Sequence, residues 1–256
     1  MATKVSSPSR RAARRRPESS RHAAQLQAAG ARVAERCRNQ QQALSPRRNR
    51  VDPWGDFHAV AARGMLTGNR GCVVDDHERV VRHHSGTLWI TCLTAFRGWR
   101  WPLARPRRWT PLFFLDEAVA LAAGHRPCAT CRRTDYLAYR DAVTDAVQAP
   151  SPLRAFELNA RLNQERLRSG RGMLRAADRM LWSASVADLP DGTMVVNSEG
   201  HCELVHGNFL RRFAFSGWTT RTPRPSHGVI AVLTPPTSVM ALANGYRPIL
   251  HPSALD

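Results

Sequence analysis

The stretch LDEAVALAAGHRPCATC, from Leu115 to Cys131, determines how the chain folds around two closely spaced cysteines, Cys128 and Cys131. Its first part has the composition of a short helix, Gly124 stands where a helix ends, and Pro127 prevents the helix from continuing. Cys128 and Cys131 follow, separated by two residues. That spacing lets two thiolates reach one tetrahedral zinc ion. The stretch therefore predicts a helix stop that presents half of a metal site.

A second stretch near the C-terminus repeats this pattern without the cysteines. VMALANGYRP, Val239 to Pro248, aligns with AVALAAGHRP, Ala118 to Pro127, on the motif Gly-x-Arg-Pro. A hydrophobic segment precedes each copy, LFF in the first and AVL in the second. Because glycine tolerates the left-handed conformation that ends many helices, we expect Gly-x-Arg-Pro to be a helix stop in both copies. The cysteine pair is then an addition specific to the first.

Composition predicts a globular protein with one good core or two small ones. The chain has 256 residues, of which 43% are hydrophobic, and six cysteines. Such a length does not need disulfides, so free thiols with a metal site are expected. The sequence has neither a run of 18 apolar residues nor an apolar segment after its Arg-rich start. We therefore predict no membrane span and no secretory signal, and a cytoplasmic location.

The charge is strongly basic, but most of it lies at the N-terminus. The formal net charge is +18, and residues 1–50 carry twelve Arg, one Lys and two Glu, a net +11. Basic surfaces favour polyanions because binding to phosphates releases condensed counterions. The charge therefore favours nucleic acid as a partner. The alternative is a compositional bias toward arginine, since the chain has 37 Arg and only one Lys.

The hydrophobic periodicity predicts an α+β protein with four segments. The first is a basic extension over 1–50, predicted to be disordered over 1–18 and to form one helix over 19–44. A zinc module over 51–133 and a helical region over 134–182 follow. The last is a mainly β unit over 183–256, which ends in the second copy of the repeat, a helix followed by GYRP. Ser45 to Gly55 is predicted to be a linker, because it contains two prolines. Within the zinc module, alternation in GCVV, RVVRHH and TLWITCLTAF predicts a small antiparallel meander.

The residues around the cysteine pair resemble a known zinc module. From about Thr87 to Arg133 the chain is similar to the zinc-binding domain of Ada-type DNA repair proteins. The resemblance carries onto Cys92, Cys128 and Cys131 as zinc ligands, and implies that an upstream cysteine accepts a methyl group from a DNA phosphotriester. The chain departs from that pattern because it lacks a second upstream cysteine, with Ala95 and Phe96 where one would fall.

A second resemblance covers more of the chain. GNRG, Gly68 to Gly71, together with FFLDEAVALAAGHRPCATCRR looks like an uncharacterised bacterial family, with similarity expected from Val51 onward. The fourth metal ligand stays open between a water molecule and five side chains: Cys72, His77, His83, His84 and His125. The alternative to a metal site is a set of three buried free cysteines, because cysteine is among the most buried side chains.

A run of alternating cations and aromatic residues adjoins the predicted zinc ligands. FRGWRWPLARPRRW, Phe96 to Trp109, supplies these candidate nucleic-acid contacts: Arg97, Trp99, Arg100, Trp101, Arg105, Arg107 and Arg108. Aromatic rings stack on unpaired bases and arginine contacts phosphates. The alternative places the tryptophans in the core and the arginines at its solvated rim.

Asp75-Asp76-His77-Glu78 is the other cluster with metal-binding chemistry. Carboxylates at such density can hold a divalent ion, as in a nuclease, but Asp and Glu are also ordinary turn residues between strands. The sequence thus predicts a zinc-stabilised protein that binds nucleic acid, with DNA favoured, in repair or regulation. One rival is an enzyme acting on DNA, either a methyl acceptor through Cys92 or a metal-dependent nuclease. The other is a non-catalytic interaction scaffold.

Overall fold

The computed structural model of the protein describes residues 46–77, 79–100, 109–166 and 178–256. The predicted arm over 1–18 and the predicted helix over 19–44 lie outside these residues. Arg47–Asp256 forms one compact unit. Its described residues contain two six-stranded sheets and four α-helices, which confirms the α+β class. Among them no helix combines the length and apolar character that a membrane crossing requires.

The first sheet carries the cysteine pair on one edge. Its strands are β1 (Arg48–Val51), β2 (Phe57–Ala59), β3 (Leu66–Asn69), β4 (Ile90–Leu93), β7 (Leu112–Phe114) and β8 (Arg126–Pro127), and the short hairpin of β5 (Ala95–Phe96) and β6 (Trp99–Arg100) stands apart from it. The strand order is β2-β1-β7-β3-β4-β8. Two pairs of neighbouring strands are parallel, β1 with β7 and β4 with β8, and the other pairs are antiparallel. The cysteines therefore follow an edge strand.

This sheet differs in detail from the predicted meander. Of the predicted strands GCVV and RVVRHH, only an isolated bridge between Val74 and Val80 forms. The Asp75 carboxylate accepts hydrogen bonds from the backbone N–H groups of His77 and Arg79, at 2.9 Å each, and so closes a tight turn directly after Val74. The central antiparallel partners are instead β3, β4 and β7. Local alternation could not reveal that β7, far along the chain, pairs with β3.

The predicted linker from Ser45 to Gly55 contains a strand. β1 pairs with both β2 and β7, and Val51 at its end is buried in the core. Pro53 lies just beyond β1 in the turn to β2, so it does not interrupt a ladder. The first sheet therefore includes part of the segment that the proline content predicts to be a linker.

Four helices are described. They are α1 (Glu117–Ala122), α2 (Arg133–Ala146), α3 (Ala155–Arg166) and α4 (Pro236–Ala243). The second begins at Arg133, next to the predicted start of the helical region at residue 134, and Arg132 precedes its first turn. Within the predicted helical region over 134–182, the described residues contain α2 and α3. Residues 167–177 of that region lie outside the described residues, and β9 (Trp182–Ser185) begins at its end.

The second sheet is antiparallel throughout its described pairs. It contains β9, β10 (Met194–Val196), β11 (Cys202–His206), β12 (Phe209–Ala214), β13 (Gly217–Pro223) and β14 (Val229–Val232), in the order β13-β12-β11-β10-β14-β9. Four of them, β10, β11, β12 and β14, coincide with the segments DGTMVV, HCELV, FLRRFAF and GVIAVL, whose alternation predicts strands, whereas β9 and β13 were not predicted. One hydrophobic cluster joins Phe114 and Val119 of the first sheet and α1 to Met194, Leu204 and Trp218 of the second sheet. The predicted segments 51–133 and 183–256 therefore share a core.

Both Gly-x-Arg-Pro segments stop a helix in the same way. Gly124 and Gly245 have φ angles of +84° and +93°. The N–H of His125 donates to the carbonyl of Ala120 at 2.9 Å, and the N–H of Tyr246 makes the equivalent bond to Ala241 at 3.0 Å. These are the closing hydrogen bonds of a left-handed helix terminus. The internal repeat predicted from the sequence is therefore confirmed as a repeated helix stop.

The two stops differ in what surrounds the glycine, which gives a matched pair of variants. A Cβ on Gly124 would lie 2.6 Å from Cγ of the buried Arg166 side chain, whereas a Cβ on Gly245 would meet nothing within 4 Å. We expect Gly245→Ala to lower the free energy of unfolding by about 1 kcal/mol, the cost of the left-handed conformation alone. Gly124→Ala should cost about 2 kcal/mol more, because the buried neighbour must move. Denaturant unfolding measures both, and equal losses would contradict the packing described here.

Candidate metal centre

Three cysteine sulfur atoms meet at the edge of the first sheet. Cys92 lies on β4, and Cys128 directly follows β8, whose pairing with β4 continues as a hydrogen bond from the N–H of Cys128 to the carbonyl of Thr91 at 2.9 Å. Cys131 lies in the turn that leads into α2. The three Sγ atoms lie within 4.8 Å of one another. Thiolates around one tetrahedral ion are separated by about 3.8 Å, so these residues can hold a metal ion with a small contraction.

The cysteine turn supplies hydrogen bonds that suit a thiolate. The N–H of Thr130 donates to Sγ of Cys128 at 3.4 Å. Hydrogen bonds from the Cys131 and Cys92 thiols, with those from the backbone of the turn, lower the pKa of Cys128 below its usual range. The same hydrogen bond to Cys128, together with burial, raises the pKa of Cys92. The hydrogen bond to Cys128 likewise raises the pKa of Cys131. The hydrogen bonds of the cluster therefore favour one thiolate, on Cys128, and a metal ion would have to displace the protons of the other two thiols.

A buried arginine holds the cysteine turn in place, and sequence reasoning missed it. Arg132, directly after Cys131, donates to the hydroxyl of Thr91 on β4 at 3.1 Å and to the carboxylate of Glu117 at 2.7 Å. Both side chains of the Arg132–Glu117 ion pair are fully buried. Arg132 thus connects the turn to the strand that carries Cys92 and to α1. The signal available in the sequence was the acidic pair Asp116 and Glu117, which begins a helix that has no other polar residue.

Of the five side chains proposed as a fourth ligand, none joins the sulfur atoms. Within the part of the chain that the structure describes, the cluster of potential metal ligands contains Cys92, Cys128 and Cys131 alone. His83, His84 and His125 instead surround Trp89, with ring centroids 5.3–5.4 Å from it. His77 lies in the turn after Val74, and the Cys72 thiol donates to the Val74 carbonyl.

The sequence limits which side chain can supply a fourth ligand. Residues 101–108 and 167–177 contain no Cys, His, Asp or Glu. Among the undescribed residues within the compact unit Arg47–Asp256, Glu78 is therefore the one residue that could supply a ligand atom. Residues 1–45 contain a further cysteine, Cys37, and a histidine, His22. A metal ion held by the three clustered cysteines alone would present its fourth position to water or to a ligand.

A pocket of about 460 Å³ lies beside the three sulfur atoms. Its wall combines the cysteines with aromatic, cationic and polar side chains: Asn69, Ile90, Phe96, Arg97, Trp109 and Thr130. The guanidinium carbon of Arg97 lies 5.1 Å from the centroid of the Phe96 ring, and Arg97 itself is exposed. A ligand in this pocket would contact an aromatic surface, a positive charge and the open side of the metal site.

The arginine and tryptophan run is only partly described. Arg97 lies at the pocket in a left-handed conformation, with φ of +50°, between β5 and β6. The backbone of Trp99 and Arg100 forms β6, paired with β5. Trp101, Arg105, Arg107 and Arg108 lie outside the described residues. Trp109 lines the pocket, which places both described ends of the run next to the cysteines.

No protein-family model matches the chain, and comparisons with curated proteins and with solved structures likewise find no match.

The arrangement predicts that the purified protein contains about one equivalent of a thiophilic metal ion. Cys128→Ser should remove most of it, because a serine hydroxyl does not replace a thiolate. Cys72→Ser is the control, since Cys72 is a partly buried thiol outside the cluster. Elemental analysis of the wild-type protein and both variants measures the metal. Equal metal content in both variants, or none in the wild-type protein, would show that the cysteines are simply buried thiols.

Proposed function

We propose that the protein is a zinc protein that binds nucleic acid in the pocket beside Cys92, Cys128 and Cys131. The observation that carries the proposal is the composition of this pocket, in which Phe96, Trp109 and Arg97 lie next to three sulfur ligands. Zinc is favoured because tetrahedral sulfur sites with a two-residue spacer select it. The resemblance to Ada-type zinc modules over Thr87 to Arg133 supports the same ion and DNA as the nucleic acid.

The pocket suits an unpaired base better than a duplex. Stacking on an aromatic ring is available to every base once it leaves its helix, and an adjacent arginine can contact the phosphate. Phe96 and Trp109 offer such rings and Arg97 the cation. We therefore assign single-stranded or locally opened DNA as the ligand. The zinc ion keeps the turn of Cys128 and Cys131 against β4, and so fixes one wall of the pocket.

The composition of the ligand set favours binding over hydrolysis. Three thiolates carry more negative charge than a divalent ion neutralises, and this weakens the ability of the ion to acidify a water molecule. The Asp75 carboxylate, predicted as part of a nuclease cluster, is engaged in the turn by the backbone of His77 and Arg79 and by the Arg79 side chain. Both observations weigh against the metal-dependent nuclease.

The test is a binding titration of a short single-stranded oligonucleotide, labelled and followed by fluorescence anisotropy at several salt concentrations. We expect Trp109→Ala to weaken binding about tenfold, the effect of losing one stacked base. Arg97→Ala should also weaken binding and reduce the salt slope by about one, the loss of one phosphate contact.

The titration uses the full chain, in which residues 1–50 carry a net charge of +11 and are expected to bind polyanions on charge alone. A variant of an exposed arginine outside the pocket therefore controls for the loss of one positive charge. Arg154→Ala serves, since Arg154 is exposed and does not line the pocket. It should leave the affinity nearly unchanged. If Trp109→Ala and Arg97→Ala bind as tightly as Arg154→Ala, the pocket does not bind the nucleic acid.

Methyl transfer to a thiolate is the second candidate, and the exposure of the cysteines favours a residue other than Cys92. Cys92 is 6% exposed and Cys128 7%, whereas Cys131 is more accessible. A thiolate that attacks the methyl carbon of a phosphotriester forms a thioether and releases the phosphodiester anion. Mass spectrometry after incubation with methylated DNA should then locate one methyl group on Cys131. An unmodified protein after prolonged incubation would exclude this candidate.

A further inference from the structure

A second group of charged side chains lies next to the metal centre but inside the fold. Arg70 follows Asn69, and Trp89 precedes Ile90, so both are neighbours of residues that line the cysteine pocket. Alternation along a strand places neighbours on opposite faces of the sheet. Arg70 is fully buried, and so in effect are Arg166 and Arg179. Three guanidinium groups in an interior are unusual, because arginine is almost never fully buried without a partner.

These arginines are fixed by aromatic stacking and by neutral carbonyl groups. The guanidinium carbons of Arg70 and Arg166 lie 4.2 Å and 4.0 Å from the centroid of Trp89. Arg70 donates to the carbonyl of Gly55 at 2.8 Å, and Arg166 to that of Gly124 at 3.2 Å. Arg179 donates to the carbonyls of Ala122 and Leu233. None of these acceptors carries a charge.

Several N–H groups of this cluster remain unused. Nη2 of Arg70, Nε of Arg166, and Nε and Nη1 of Arg179 are enclosed and have no hydrogen-bond partner among the described residues, which leave out 167–177 between Arg166 and Arg179. Asp52 and Asp56 act on Arg70 and Arg179 through their field, yet accept no hydrogen bond from these atoms. The Asp52 carboxylate is engaged by His58 and by the N–H of Asp56. Buried donors without acceptors are costly, so a group of them favours the binding of a ligand that supplies the acceptors.

The histidine rings around the three arginines are neutral, and His125 adds one N–H hydrogen-bond donor to the cluster. Burial, followed by the field of Arg70, lowers the pKa of His83 to about 2. The same two causes keep the pKa of His125 well below its usual range, so its ring is neutral. Nε2 of His125 accepts from Nε of Arg70 at 3.3 Å, which places the ring hydrogen on Nδ1. That Nδ1 is also buried and has no hydrogen-bond partner in the described part of the chain.

We propose that Arg70, Arg166 and Arg179 form an internal site for a small oxyanion of the phosphate class. A tetrahedral oxyanion offers several acceptors and up to two negative charges, which matches guanidinium donors that point at no protein acceptor. Their enclosure favours the free ion over a phosphate group within a polymer, because a polymer chain must also leave the site. The site is separate from the metal centre, so its failure would leave the proposed function unaffected.

The test uses the full-length protein, purified in chloride buffers without a chelator. Thermal unfolding is followed while sodium phosphate replaces sodium chloride at constant ionic strength. We expect a saturable rise of roughly 5–10 °C when phosphate exceeds its dissociation constant about a hundredfold. Adenosine monophosphate at the same concentration should produce no rise, because its phosphate cannot enter an enclosed site. A rise in the unfolding temperature with adenosine monophosphate would overturn the assignment of a free ion.

The matched variants are Arg179→Gln and Arg154→Gln, which remove one positive charge from the interior and from the surface respectively. Arg179→Gln should abolish the rise caused by phosphate, and Arg154→Gln should retain it. An equal rise in both variants would overturn the site. Should Arg179→Gln not fold, the wild-type protein decides: no phosphate-specific rise, with no oxyanion detected by ion chromatography after denaturation, also overturns it.

Discussion

The buried carboxylate of Glu117 is the interaction on which the rest of the structure depends. It accepts hydrogen bonds from Arg132, from the hydroxyl of Tyr246 at 2.6 Å and from the N–H of Ile249 at 2.9 Å. One side chain at the start of α1 therefore binds the segment after the cysteine turn and the segment after the second helix stop. Removing one member of a buried ion pair typically costs 3–5 kcal/mol, because the remaining charge stays buried.

Asp116 extends this junction toward the second sheet. Its carboxylate accepts the N–H of Val119 at the start of α1, the indole N–H of Trp218 at 2.8 Å and the N–H of His251 at 3.0 Å. Burial raises the pKa of Asp116, and these hydrogen bonds oppose that rise. Two adjacent acidic residues thus connect both sheets and both copies of the repeat. The two copies are also joined by a contact, since Tyr246 of the second donates to Glu117, which directly precedes the first.

Local patterns predicted much of this architecture, and long-range pairing limited the rest. The helix stops at Gly124 and Gly245, the strands β10, β11, β12 and β14, and the pair Cys128 and Cys131 follow from spacing and periodicity within short windows. Cys92 was a candidate through the resemblance to Ada-type zinc modules, and the strands β9 and β13 were not predicted. The strand order of the first sheet does not, because β1 and β8 pair in parallel with strands distant in sequence. Arg132 and Glu117 were missed for the same reason, since charged residues look exposed until a partner from another element is known. The buried arginines Arg70, Arg166 and Arg179 resemble surface cations for the same reason.

The position of the cysteines has a consequence for how the chain acquires its fold. β8 has two residues, one of them a proline without an N–H, and it lies at the end of the sheet. Few backbone hydrogen bonds can hold so short a segment against β4. A metal ion joined to Cys92 on one strand and Cys128 after the other would act as a crosslink between them. Closing this sheet edge would then depend on metal supply during synthesis, and a chain made under metal starvation would keep β8 loose, with its neighbour β4 open to pairing with other chains.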